Sequence, residues 1–322
     1  MEPMPPRFIP AAWLPHAHLQ TVYGSLFARA PRVAFRRERW ETPDGDFVDV
    51  DFVEGPEGAP WVHLFHGLEG STQSTNVRAM MAHVAARGWR GSVLHFRGCS
   101  GEPNRLPRAY HSGDSEEIDW VLRRMRPRAG GAPFYAAGIS LGGNALAKWL
   151  GERGDDASGI VDRAAVLGAP LDLMAAGDAL ERGFAILYTR HFLATLKKTS
   201  LAKLDRFPGL YDAGKVRAAR TLREFDNVVT APLHGFRDTD DYWTRASSKP
   251  WLASIRVPTL VANARDDPFL PESALPAPGE VSPAVTLEFP HRGGHVGFVS
   301  GRFPGNVDWL PRRVLHFFEH RE

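Results

Sequence analysis

One cysteine, Cys99, stands in a chain of 322 residues. An intrachain disulfide is therefore impossible and a thiolate metal cluster cannot be built, which fits a reducing compartment. Long hydrophobic runs are missing too. No stretch of about 18 apolar residues occurs, so a membrane-spanning helix is not expected. The start, "MEPMPPRFIPAAWLPHAHLQ", places prolines where a signal peptide needs an unbroken apolar segment. Charge of one sign is also lacking: 39 Lys and Arg against 37 Asp and Glu leave a net charge of +2, with the arginines scattered rather than striped. Nucleic acid is not an expected partner. Internal repeats and low-complexity linkers are absent as well. The default is a soluble cytoplasmic protein whose 43% hydrophobic content can bury a sizeable core; its oligomeric state is not legible.

What is present is an alternation of strand and helix signals. "GDFVDVDFVEG" alternates, with Val48, Val50 and Phe52 on one face and Asp49 and Asp51 on the other, and predicts a half-exposed strand. "WVHLF" (61–65) is a short continuous apolar run, as expected of a strand buried on both faces. "VRAMMAHVAARG" (77–88) predicts an amphipathic helix closed by a glycine. "GSVLHF" (91–96) predicts the next strand, and "GDSEEIDWVLRRMR" (113–126) a helix that runs from acidic to basic, matching the helix dipole. The pair "PFYAAG" and "ALAKWL" repeats the unit, and "AAVLGAP" (164–170), "PTLVANARDD" (258–267) and "AVTLEF" (284–289) supply later strands before a closing helix in "VDWLPRRVLHFFEH". Such alternation implies an α/β protein: one domain over residues 1–322 with a mostly parallel central sheet and helices on both faces. Between about 172 and 250 the rhythm breaks into helical sequence, expected to be a cap inserted over the sheet's carboxyl edge.

The chemistry gathers around "GISLGG". Gly138-x-Ser140-x-Gly142 follows a strand and opens a helix, the context that a nucleophile elbow requires. A serine on so sharp a turn sits in a strained conformation, and its neighbours cannot carry side chains without collision. Free N–H groups at the helix start stand beside the hydroxyl. A serine hydroxyl needs a base, itself oriented by an acid. "ANARDDPFLP" places two aspartates after a predicted strand, and "PHRGGHVGF" places His295 on a glycine-rich loop after the last one. Asp267, followed at once by Pro268, is the candidate acid; Asp266 is its alternative, otherwise a residue that bonds loop N–H groups. His295 is the candidate base, and His291 a surface residue. His63 and His95 are expected to be satisfied core residues.

"HLFHGLEGS" (63–71) supplies an oxyanion loop, in which the backbone N–H of Leu68 would act with that of Leu141. Glu69 is expected to be solvated or bonded within its loop. From the insertion, Phe184, Leu187, Tyr188 and Phe192, with Phe298, are candidate acyl-pocket residues.

These residues resemble the α/β-hydrolase superfamily through HG at 66–67, GISLGG, DDPFLP and GGHVGF. A narrower similarity, to its YheT-like branch and the related ABHD-type lipases of animals, rests on "WLPHAHLQT" (13–21), "HGLEGSTQS" (66–74), "HFRGCSGEPNR" (95–105), "YHSGD" (110–114) and "NARDDPF" (263–269). The resemblance implies a serine hydrolase with Ser140, Asp267 and His295 as its triad, acting on carboxylic esters, from short- to medium-chain acyl esters to acylglycerols. That chemistry calls for no metal and no organic cofactor, and its partner is a small-molecule acyl ester. The animal relatives carry an N-terminal membrane anchor, and no such anchor is expected from this sequence. Cys99 is expected to be a packed small residue. An acyltransferase on the same triad is the alternative, and a hydrolase-fold protein that binds without turnover a third.

Overall fold

The computed structural model describes residues 6–29 and 31–320; the first five residues of the proline-rich start lie outside them. Eight strands form one sheet: β1 (Arg36–Glu41), β2 (Phe47–Val53), β3 (Trp61–Phe65), β4 (Arg90–His95), β5 (Phe134–Ile139), β6 (Arg163–Leu167), β7 (Thr259–Ala262) and β8 (Val285–Glu288). Their order is β1-β2-β4-β3-β5-β6-β7-β8. β1 and β2 are antiparallel to each other, β2 is antiparallel to β4, and every later pairing is parallel. A parallel pair needs a crossover, and the helices supply it. Helices Thr75–Ala86 and Trp309–Glu319 cover one face, where Met81, Val84, Leu315 and Phe318 pack with Leu64, Val93 and Tyr135. Helices Ser115–Ala129 and Leu141–Arg153 cover the other, where Leu122, Met125, Leu146 and Trp149 meet Phe52, Phe134 and Val166.

The helix read at 77–88 spans Thr75–Ala86, and Gly88 follows it at φ 68°, in the left-handed conformation that ends helices. β3 is buried along its whole length, as the apolar run implies. Two features depart from the sequence reading. β1 carries Arg36, Arg37 and Arg39 and gave no strand signal; it is the sheet's edge, where charged side chains are tolerated. β2 is buried on both faces rather than half exposed. Asp49 and Asp51 survive burial because each takes a two-pronged bond from an arginine of β1: Arg39 reaches Asp49 at 2.9 Å, and Arg37 reaches Asp51 at 2.7 and 2.9 Å. Burial of Asp51 opposes its ionisation, but bonds from Arg37, His95 and Thr72 outweigh it and hold the carboxyl below its ordinary range.

Between β6 and β7 the chain leaves the sheet for a run of helices from Leu173 to Ser254, the longest being Ile186–Arg206. Among the described residues no helix is long and apolar enough to cross a membrane.

Candidate active site

β5 ends at Ile139, and Ser140 turns the chain into helix Leu141–Arg153 at φ 52°, ψ −119°. For a residue with a side chain this conformation is strained, by about 1–3 kcal/mol. The surroundings hold it: the Ser140 N–H donates to the Leu167 carbonyl at 2.8 Å, and its own carbonyl accepts from Asn144 N–H at 3.0 Å. The glycines answer to space. A Cβ on Gly138 would stand 2.4 Å from the Gly142 carbonyl oxygen, and one on Gly142 would stand 2.5 Å from the carbonyl oxygens of both Phe65 and His66.

Three of the residues singled out from sequence meet here, each on a loop beyond the carboxyl end of a strand. His295 Nε2 is 2.9 Å from Ser140 Oγ. Its Nδ1 is 2.9 Å from Asp267 Oδ2 and 3.2 Å from Oδ1. Asp267 is 5% exposed, and its Oδ1 also accepts the N–H of Phe269 at 2.8 Å. The two aspartates are thereby told apart. Asp266 points to the backbone instead and accepts the Gly294 N–H at 2.9 Å, bracing the loop that carries His295. His291 is exposed.

Gly67 passes close enough to Ser140 that a Cβ there would lie 3.1 Å from the serine's own. The adjoining Leu68 lines the same cavity as Ser140 and Leu141. Leu141 is the first residue of its helix, so its N–H has no carbonyl to serve within it. His66 anchors the loop from below. Its Nε2 accepts the Phe96 N–H at 3.2 Å, which leaves Nδ1 to donate to the Gly67 carbonyl at 2.7 Å. Burial pushes its pKa down to about 3, so the ring is neutral.

Tyr110 is a contributor that sequence reasoning missed. Its hydroxyl accepts the Glu69 N–H and donates to Glu69 Oε1, both at 2.8 Å, and so holds Glu69 at φ 52°. Glu69 is thus loop-bonded, and burial raises its pKa. The signal was available in "YHSGD", which the chemistry of the triad left unused. Cys99 packs against the core on the same side, with burial pushing its thiol pKa up. His95 bonds Asp51 at 2.8 Å, as a satisfied core residue should; His63 is satisfied only in part, its Nδ1 bonding Ser92 Oγ at 2.7 Å while its buried Nε2 meets no partner among the described residues.

A cavity of about 470 Å³ opens over Ser140. Its walls come from the helical insertion, with Leu180, Phe192, Leu196, Phe225, Val229 and Trp243 among the lining residues, and from Phe269 beside His295. Of the five pocket residues expected from sequence, Phe192 alone lines this cavity. Phe184 and Leu187 are 52% and 48% exposed, on the outer side of their helical segment. Tyr188 turns toward the N-terminal segment, 3.1 Å from His18 Nδ1, and packs behind the cavity wall against the cluster of Leu180 and Phe269. Phe298 is buried in the core under the sheet, against Phe8 and Trp309. Apolar spacing marked the helix but could not say which stripe faces inward, and nothing in the string GGHVGF told that Phe298 packs into the core rather than the cavity.

The family profile described as the alpha/beta hydrolase fold matches residues 60–301. A chain of Escherichia coli (strain K12) that carries the name of an esterase, YheT, is 41% identical over 313 residues, covering 96% of this chain and 92% of its own. Phospholipase ABHD3 of Mus musculus is 30% identical over 322 residues, covering 97% of this chain and 78% of its own. Among solved structures, the esterase Pf2001 of Pyrococcus furiosus superposes with a TM-score of 0.56 over 98% of both chains at 13% identity, a likeness of fold. A serine on a strained strand-to-helix turn, an eight-stranded sheet with the order given above, and relatives matched along nearly the whole of this chain agree: the chain belongs to the α/β-hydrolase family, in the branch that holds YheT and the ABHD3 proteins.

Proposed function

We propose that the protein is a serine hydrolase of carboxylic esters, with Ser140 as nucleophile, His295 as general base and acid, and Asp267 as the carboxylate that orients the imidazole. The observation that carries this reading is the unbroken run of contacts from Asp267 through His295 to Ser140 Oγ, at 2.9 Å per step, at the floor of an apolar cavity. The names of the relatives, an esterase and a phospholipase, with a monoacylglycerol lipase of Saccharomyces cerevisiae 26% identical over 83% of this chain, point to the same class.

In the proposed reaction Ser140 Oγ attacks the ester carbonyl carbon while its proton passes to His295 Nε2. Asp267 accepts the Nδ1–H throughout and stabilises the imidazolium that forms. The carbonyl oxygen becomes an oxyanion beside the N–H groups of Leu68 and Leu141; losing one such donor costs about 3 kcal/mol of barrier. Collapse of the tetrahedral intermediate breaks the bond to the alcohol, which leaves with the proton from His295. Water, deprotonated by the same imidazole, then attacks the acyl-serine, and the acid departs as Ser140 regains its proton. The insertion acts as a cap whose apolar lining receives the acyl chain, of short to medium length.

A fluorophosphonate probe and a series of p-nitrophenyl esters test the assignment. The wild type labels covalently and hydrolyses the esters, and Ser140→Ala does neither. A wild type inert to both, or a Ser140→Ala variant that labels as fast, overturns it.

A further inference from the structure

The segment "WLPHAHLQT" enters none of the chemistry above, yet it folds against the base. Helix Ala17–Val22 lies outside the 60–301 span of the family profile. Its backbone packs directly on the loop that carries His295. A Cβ on Gly294 would stand 2.4 Å from the Ala17 carbonyl oxygen, and one on Gly297 would stand 2.3 Å from that of Gln20.

That loop closes on itself through one backbone bond, from the Phe298 N–H to the Gly293 carbonyl at 2.9 Å, yet much of it is strained. Gly294 is at φ 59°, and Val296 and Phe298, which carry side chains, are at φ 51° and 39°. For a β-branched residue the left-handed region is a marked outlier. Such conformations cost about 1–3 kcal/mol each and persist only where neighbours over-determine them. Two consecutive residues of the N-terminal helix do this at both ends of the turn. Thr21 Oγ1 donates its proton to the Ala17 carbonyl at 2.9 Å, which leaves a lone pair facing the His295 N–H, 2.8 Å away. Gln20, 1% exposed, accepts the Val299 N–H at 2.8 Å and donates to the carbonyls of Leu14 and Val299 at 3.2 and 3.4 Å. Asp266 braces the remaining side through the Gly294 N–H.

We propose that Thr21 and Gln20 are positioning residues for His295: they lock the backbone from 295 to 299 so that Nε2 stands at bonding distance from Ser140, and the N-terminal helix is thereby part of the catalytic machinery. The proposal rests on the reading of His295 as the base. A residue that merely fastened the N-terminal segment would touch the loop anywhere; these two bond the amide of the base itself and the residue that ends its turn.

The test uses the full chain with Thr21→Val, which keeps the shape and removes the hydroxyl, and Thr21→Ser, which keeps the hydroxyl. Each is made alone and in a His295→Ala background. The readouts are kcat and KM on a p-nitrophenyl ester, the rate of fluorophosphonate labelling, and the melting temperature. A misplaced base costs rate rather than binding, so Thr21→Val is expected to lower kcat and labelling by about tenfold or more with KM within about twofold. Thr21→Ser returns both to within about threefold of wild type. In the His295→Ala background Thr21→Val changes labelling no further, because a residue that acts through another has nothing left to act on. Wild-type kcat in Thr21→Val, a failure of Thr21→Ser to rescue, or a loss that persists without His295 each overturns the proposal. Should the valine variant not fold, Thr21→Ala is judged by the same outcomes. If His295→Ala labels as fast as wild type, it is the assignment of the base that fails, a result separate from all of these.

Discussion

The ring of Phe269 lies flat against that of His295, with centroids 3.9 Å apart and planes inclined by 14°. The same residue gives its N–H to Asp267 Oδ1 at 2.8 Å. One position thus touches His295 through its ring face and Asp267 through its backbone, the proposed base and acid. Phe269→Leu keeps the backbone bond and removes the stack. It is expected to lower kcat by roughly threefold to tenfold, the range that about 0.5–1.5 kcal/mol of ring contact supports, with slower fluorophosphonate labelling as the check.

The two neighbouring aspartates separate by substitution. Asp267→Asn leaves the imidazole without its acceptor and is expected to lower kcat by roughly a thousandfold or more while the melting temperature changes little. Asp266→Asn weakens the brace on Gly294 and acts on stability first. Parallel measurement of kcat and thermal unfolding decides; a reversed pattern moves the acid to Asp266.

On the proposed reading, acyl preference follows the inward face of the insertion. Phe192 lines the cavity, whereas Phe184 is half exposed outside it. Phe192→Ala widens the cavity and is expected to raise the ratio of kcat/KM for long over short p-nitrophenyl esters by about tenfold, as one or two kcal/mol of pocket contact allows. Phe184→Ala leaves that ratio unchanged. Equal responses in the two variants count against the cavity as the acyl site.

Asp226 gives the fold a pH signature. It lines the cavity, accepts the Thr230 hydroxyl at 2.6 Å and the Trp243 indole N–H at 2.9 Å, and burial pushes its carboxyl from 3.8 up to about 6. The folded state therefore keeps this proton where the unfolded chain has lost it. The stability it contributes is complete below the unfolded value and is lost as pH rises through the folded one. Relative to Asp226→Asn, the wild type is expected to lose a few degrees of melting temperature between pH 4 and pH 6.5. Parallel melting curves of the two proteins over that span contradict the assignment.

The strands that build the sheet's centre were legible because burial on both faces leaves an unbroken apolar run, as in Trp61–Phe65. The meeting of Ser140, Asp267 and His295 was legible because each stands just beyond a strand, in the order that the proposed chemistry expects of those loops. β1 and the interior aspartates of β2 were not, since Arg37 and Arg39 read as surface charge until the strands are paired and Asp49 and Asp51 are seen beneath them. The cavity wall was half legible. Spacing announced helical sequence within about 172–250, but the inward stripe depends on what packs against it, and Phe184 and Leu187 fell on the other side. Thr21, Tyr110 and Phe269 act on the site through backbone bonds or ring stacking, and contacts between distant stretches of chain leave no periodic trace.

The triad loops and the cavity wall come from different parts of the chain. Ser140, Asp267 and His295 follow β5, β7 and β8, while the apolar lining is drawn mainly from the excursion between β6 and β7. On the proposed reading, reaction and selection are consequently written in separable passages. A lineage can redraft Leu173–Ser254, trading one guest molecule for another, while the reacting atoms keep their places.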